Sequence, residues 1–186
     1  IDGIPIRTPM VDVNTIGSGG GSVAWVDSGG ALRVGPRSVG ADPGPACYGN
    51  GGDEPTVTDA NVLLGHVGES TALGGELSVD VAAAEAALEE LAAEAGLGSA
   101  RAAARGVYRV ANAKMTRAIR EITVERGFDP RAFGLVAFGG AGPMHAVSVA
   151  DDLDIGTVIV PVASGVLSAY GLLDADERYD RVRTHL

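Results

Sequence analysis

Lysine is almost missing from this chain: Lys114 is the only one among 186 residues, and it stands in the middle of a long helical pattern. A Walker-type P-loop needs its lysine directly after the glycines, so that mechanism is closed. Cysteine is as scarce. Cys47 by itself cannot form an internal disulfide, and with no targeting segment in view the expectation is a reducing cytoplasm. The three histidines, His66, His145 and His185, are scattered without the spacing of a zinc site. No Gly-x-Ser-x-Gly elbow occurs, which leaves an α/β-hydrolase triad without its nucleophile. Apolar runs stay short of the ~20 residues that cross a bilayer. Basic residues number 14 against 24 acidic ones, a net charge of -10 with no arginine stripe. Repulsion from phosphate backbones therefore argues against nucleic acid and anionic membranes as partners.

Glycine, in contrast, is abundant at 28 residues, and it is clustered. In Val11–Asp27 two β-type runs flank Gly17-Ser18-Gly19-Gly20-Gly21, where four residues in five lack a Cβ. Such a backbone turns tightly and presents N–H groups unobstructed, which suits phosphate, although a ligand-free β-turn has the same composition. A second cluster, Phe138-Gly139-Gly140-Ala141-Gly142-Pro143, follows much later and favours the ligand. With 46% hydrophobic and 20% charged residues the composition is that of a globular protein, and the length predicts one domain over residues 1–186. Ile1 is not an initiating methionine, and the charged string from Asp174 to Leu186 closes nothing. Both are expected of a piece of a larger polypeptide.

Residues 1–9, with two prolines, read as an entry loop. Met10–Ile16, Ser22–Asp27 and Ala31–Val34 read as three strands of an antiparallel meander, joined by the glycine turn and by Ser28-Gly29-Gly30. Residues 35–56 form a Gly- and Pro-dense loop, long enough to be functional or mobile. Within it Cys47 is either a nucleophile or, the commoner fate of a lone cysteine, a small buried thiol. A short helix starts at Thr58-Asp59-Ala60-Asn61, with Thr58 or Asp59 as cap and Gly65 and Gly68 as stops. Asp80 caps a second helix, in which Val81, Leu88, Leu91 and Ala95 oppose Glu85, Glu89 and Glu94, and Gly96 and Gly98 end it. Ser99 opens the longest helix, to about Arg126, with a buried line of Val107, Val110, Ala111, Met115, Ala118, Ile119 and Ile122. Its arginines, Arg105, Arg109, Arg117 and Arg120, belong by default to a solvated or salt-bridged flank.

The rhythm then changes to strand Gly134–Phe138, glycine turn, helix from Pro143 to about Leu153, strand Thr157–Val160 and helix Leu167–Leu173. Continuous apolar strands alternating with helices predict parallel pairing buried on both faces. The whole is an α/β fold of order βββ–ααα–βαβα. A Rossmann fingerprint is a poor fit to the second turn, because the spacing is Gly-Gly-x-Gly and Pro161, not an acidic residue, follows the next strand. His145, in the first turn after those glycines, either touches a ligand or packs.

A glycine hairpin after a first strand, followed by a strand, Gly-Gly-x-Gly turn and helix, resembles the second lobe of the actin-like ATPase (ribonuclease H-like) fold. That fold implies a mixed sheet with an antiparallel N-terminal meander and helices on both faces. Thr15–Ser22 looks like its second phosphate hairpin, Val136–Gly142 like its adenosine motif, and residues 163–171 like the small-residue helix that joins the lobes. More closely, five motifs in order resemble the hydantoinase A / 5-oxoprolinase family across roughly residues 5–184. They are Thr15-Ile16-Gly17-Ser18-Gly19-Gly20-Gly21-Ser22; Gly35-Pro36 with Pro43-Gly44-Pro45-Ala46-Cys47-Tyr48-Gly49; Thr56-Val57-Thr58-Asp59-Ala60-Asn61; Val136-Ala137-Phe138-Gly139-Gly140-Ala141-Gly142-Pro143 with His145-Ala146; and Leu167-Ser168-Ala169-Tyr170-Gly171.

The resemblance implies ATP-dependent hydrolysis of a cyclic amide such as 5-oxoproline or a hydantoin, with the ring carbonyl phosphorylated first. In the family's carboxylase branch it implies ATP-driven carboxylation of a ketone instead. ATP and Mg²⁺ are the implied cofactors, and a B-type subunit is the implied partner. The chain would be the C-terminal nucleotide-binding lobe, inactive alone, with the first lobe in the same polypeptide and residues 174–186 leading toward a missing segment. Gly17, Gly19, Gly20, Gly21 and Ser22 are thereby assigned to phosphate, and Gly139, Gly140 and Gly142 to the nucleoside. Asp12 and Asp59 are the carboxylates for orienting Mg²⁺ or water; alternatively Asp12 is a strand-end residue and Asp59 a helix cap. A second class stays open, in which an actin-like lobe closes on nucleotide to regulate a partner without chemistry on a small molecule.

Overall fold

Residues 13–68, 78–176, 179 and 181 are described by a computed structural model, in which the chain divides into two units, Ile1–Asp129 and Pro130–Leu186. The first unit opens with an antiparallel hairpin of β1 (Ser22–Val26) and β2 (Leu32–Ser38), with Ala24 opposite Val34 and Trp25 opposite Arg33. Asp27 builds its turn. Oδ1 accepts from the N–H groups of Gly29 (3.0 Å) and Ala31 (2.9 Å), Oδ2 pairs with Arg33 at 2.7 Å, and Gly30 takes a left-handed φ of +79°. The Ala31 N–H and then Arg33 hold the Asp27 carboxyl below its ordinary range.

The sequence pattern places a third strand, Met10–Ile16, on the far edge of β1. Residues 10–12 lie outside the described residues, and 13–16 form no strand. That edge is already filled: the Ala24 N–H donates to the Pro55 carbonyl at 2.8 Å, and Val23 bridges to Thr56. Among the described residues the expected three-stranded meander is therefore a two-stranded hairpin with a return segment.

Three helices pack on it. In α1 (Val57–Leu63) the cap is Thr56, ahead of the expected Thr58 or Asp59. Thr56 Oγ1 accepts the Asp59 N–H at 3.3 Å while Asp59 Oδ2 accepts the Thr56 N–H at 2.8 Å, a reciprocal capping box. The helix α2 (Val81–Glu94) starts as expected on Asp80, which accepts the Ala83 N–H at 3.0 Å, and stops at Gly96, whose φ is +65°. Ser99 caps α3 (Ala100–Ile122), and Glu89 of α2 accepts the Ala100 N–H at 3.0 Å, which ties the two helices at their junction. The helix ends at Ile122, short of Arg126, because Val124–Arg126 tightens into a 3-10 turn closed by Gly127 at φ +84°.

Ala24 and Val34 of the hairpin meet Val57, Ala60, Leu88, Leu91, Ala104 and Val107 in one buried cluster. Small residues at the crossings let the helices approach closely, and Leu88 is the largest fully buried side chain, worth about 2–3 kcal/mol of transfer energy. The expected buried line of α3 holds at Val107 and Ala111. Beyond them Met115, Ala118 and Ile119 are half-buried and Ile122 is exposed.

In the second unit β3 (Leu135–Val136) and β4 (Val158–Ile159) pair in parallel, as expected, with α4 (Gly142–Asp152) between them and α5 (Leu167–Leu173) after. Burial on both faces does not follow. Ala137, Ala146, Val149, Ala150 and Leu153 are buried, but Val136, Phe138, Ile159 and Val160 stay about half exposed, 47–50%. Parallel and antiparallel pairing are thus both present, in two separate two-stranded sheets and not in one mixed sheet among the described residues. No helix among these residues is long and apolar enough to cross a membrane.

Candidate functional site

The glycine turn before β1 is built from its carbonyls inward. Gly19 O accepts the Ser22 N–H at 3.0 Å, and Ser22 Oγ accepts the Gly19 N–H at 2.9 Å, so the turn closes on itself. Gly20 O accepts the Thr58 N–H of α1 at 2.9 Å, and Gly21 O accepts the Val39 N–H after β2 at 3.0 Å. Gly17, at φ +54°, rests its carbonyl against Gly35, where a Cβ would collide with it. With the Gly19, Gly20 and Gly21 carbonyls occupied, the N–H groups of Ser18, Gly20 and Gly21 make no hydrogen bond among the described residues. N–H groups that the fold leaves unbonded are donors that suit an anion. Ser22, expected to touch phosphate, uses its oxygen as an acceptor within the turn. Ser18, which the motif reading passed over, carries the buried side-chain oxygen that has no partner among the described residues. Its signal in the sequence was only that it is the one residue of Gly17–Gly21 with a side chain.

Asp59 stands at the start of the helix that holds Gly20, and it is fully enclosed. Oδ1 accepts the Cys47 N–H at 2.8 Å, and Oδ2 accepts both the Thr56 N–H at 2.8 Å and the Thr56 hydroxyl at 2.7 Å. These bonds knit the 3-10 turn Ala46–Tyr48 to the N-terminus of α1, so the long loop is anchored through its middle. Cys47 is fully buried there, and burial, then the Asp59 charge, push its thiol far above the ordinary range. An enclosed, protonated thiol is no nucleophile, which decides for the buried alternative. Asp12 lies outside the described residues.

Gly139, Gly140 and Gly142 belong to the second unit. Gly139 takes φ +85° and gives its N–H to Ser164 O at 2.7 Å, whereas Gly140 and Gly142 have open space where a Cβ would stand. His145, one turn into α4, is buried. From α3 of the first unit, Lys114 reaches across to donate to the Val34 carbonyl of β2.

Residues 1–181 match the family model described as hydantoinase/oxoprolinase. An uncharacterized protein of Methanocaldococcus jannaschii is 50% identical over 184 residues, 99% of this chain and 27% of that protein. Caprolactamase subunit alpha of Pseudomonas jessenii is 44% identical over 180 residues, 96% of this chain and 26% of its own length. The crystal structure of the ATP-dependent caprolactamase from that organism superposes with a TM-score of 0.82, covering 92% of this chain and 25% of its own. The nucleotide-free structure of an acetone carboxylase, 30% identical, does so with a TM-score of 0.78, covering 86% of this chain and 22% of its own. The chain thus spans about a quarter of the length of these relatives, and 14–16% of the 5-oxoprolinases it also matches. Its α/β fold is the one these two solved enzymes share, and its motifs match across 1–181: the chain belongs to the hydantoinase/oxoprolinase family.

Proposed function

We propose that this chain is the nucleotide-gripping part of an ATP-dependent enzyme that hydrolyses a cyclic amide. The turn Gly17–Ser22 carries this reading, because its Gly19, Gly20 and Gly21 carbonyls are engaged by the fold while the N–H groups of Ser18, Gly20 and Gly21 make no hydrogen bond among the described residues. The likeness to an ATP-dependent caprolactamase supports it. An unstrained amide resists water. If its oxygen takes the γ-phosphoryl group and ADP leaves, the resulting O-phosphorylated imidate accepts water at carbon. The ring C–N bond then breaks as nitrogen takes the proton, and a second water hydrolyses the acyl phosphate to carboxylate and phosphate. Fixed N–H groups that neutralise the charge developing on the transferred group are what this sequence of steps requires of the protein.

In this proposal Gly17, Gly19, Gly20, Gly21 and Ser22 form the phosphate turn, and Gly139, Gly140 and Gly142 take the nucleoside of an actin-like lobe. Both Asp59 oxygens accept from buried protein donors, so Asp59 as it stands does not fit a Mg²⁺ ligand. Asp12 is then our carboxylate for metal or water, and Asp59 holds the Ala46–Tyr48 turn against α1. Substrate contacts come from a first lobe and a B-type subunit, in keeping with a relative named as a subunit alpha.

The likeness to acetone carboxylase favours a second reading, ATP-driven carboxylation of a ketone. The test is Gly20→Val in the full-length polypeptide with its B-type subunit, which covers the free N–H groups with an isopropyl group. We expect amide-stimulated ATP hydrolysis and ring-opened product to fall about 100-fold or more, the scale of losing one such donor. Undiminished turnover would remove the site. A bicarbonate requirement would select the carboxylase, and nucleotide binding that only changes partner affinity would select the regulatory module.

A further inference from the structure

We propose that Lys114 supplies the fixed positive charge for the polyphosphate tail at the Gly17–Ser22 turn, a role that rests on the nucleotide reading above. The sequence separates the chain's only lysine from its glycines, but the fold returns it to them. Lys114 crosses from α3 to donate to Val34 O. The next residue, Gly35, backs the turn directly: a Cβ there would strike the Gly17 carbonyl and lie 3.7 Å from Ser22 Oγ. One residue therefore stands between the ammonium's acceptor and the turn.

The ammonium has three donors, of which Val34 O takes one. No carboxylate pairs with it among the described residues, whereas Arg33, Arg37 and Arg117 each have an acidic partner. A half-buried cation without a counter-charge is costly, and an anion at the turn removes that cost. Ser18 makes an independent demand, since its buried hydroxyl also has no partner among the described residues. An ammonium without a counter-charge, an orphaned hydroxyl and unbonded N–H groups all call for an acceptor-rich anion, and phosphoryl oxygens satisfy all three.

The experiment compares ATP and AMP binding by calorimetry in the full-length polypeptide. Lys114→Met keeps the aliphatic stem and removes the charge. We expect its Kd for ATP to rise about 10–100-fold, as for a lost charge-assisted hydrogen bond of roughly 1.5–3 kcal/mol, with AMP binding unchanged and Lys114→Arg close to wild type. Ser18→Ala, which strands no partner and so spares the fold, should weaken ATP about 3–10-fold with AMP again unaffected. ATP bound by Lys114→Met as tightly as by wild type would overturn the proposal. So would equal weakening of ATP and AMP, the mark of a lysine that only supports the fold. A wild-type protein that binds neither nucleotide would refute the nucleotide reading itself.

Discussion

Asp59→Asn changes no shape and one atom's chemistry, and the structure says what that costs. The wild-type carboxylate accepts three hydrogen bonds in a fully buried site, from the Cys47 N–H, the Thr56 N–H and the Thr56 hydroxyl. An asparagine keeps one acceptor oxygen and turns the other into an NH₂ group. Facing Cys47 or facing Thr56, that NH₂ confronts a backbone N–H with nowhere else to bond, and the surviving bonds lose their charge. With hydrogen bonds to charged groups worth about 1.5–3 kcal/mol and a stranded donor costing about 1–3, the loss should be about 2–4 kcal/mol. In the full-length polypeptide, whose unfolding entropy exceeds that of a small domain, Tm should drop by a few degrees. The assay is a thermal melt without nucleotide, run beside ATP turnover measured well below the lowered Tm. We expect the melt to shift while the folded protein still turns over. Thr56→Val breaks the same network, so its effect and that of Asp59→Asn should fall short of additive in the double variant. A variant with wild-type Tm and abolished turnover would refute the structural account and return Asp59 to the chemistry.

Cys47 should resist thiol reagents in the folded protein at pH 8, with labelling that tracks global unfolding; rapid labelling under native conditions would contradict its burial. Because its folded-state value is raised above the ordinary 9.0, it contributes stability below pH 9 that is lost as pH rises further, so unfolding midpoints should decline above pH 9 and Cys47→Ala should lessen that decline, the part due to the likewise raised Tyr48 remaining. Gly35→Ala meets both a φ of +61° and the Gly17 carbonyl, and should cost more than about 2 kcal/mol and displace the glycine turn, seen as lost ATP binding. Gly40→Ala, at φ +66° with open space for a Cβ, should cost only about 1 kcal/mol; equal losses in the two variants would show that the contact with Gly17 is unimportant.

Whatever depends on neighbours along the chain was legible from the residues alone. Asp80 and Ser99 cap their helices, Gly96 stops one, and the Asp27 turn closes a hairpin, because each is decided by donors and acceptors a few residues apart. The five motifs carried the family for the same reason, being strings read in order. What needed the tertiary structure was the choice of partner when several were available. Thr56, Thr58 and Asp59 are all plausible caps, and only Pro55–Thr56 docking on β1 selects Thr56, excluding residues 13–16 from that edge in the same stroke. Asp59 reads either as a carboxylate for Mg²⁺ or water or as a helix cap, and only the structure shows Cys47 and Thr56 donating to both its oxygens. Lys114 reads as a mid-helix lysine that closes the Walker-type P-loop, and only the packing of α3 brings it to the Val34 carbonyl. Hydrogen-bond capacity is written in each residue, but which acceptor a buried donor meets is set by packing between segments far apart in the chain, and no local pattern encodes that distance.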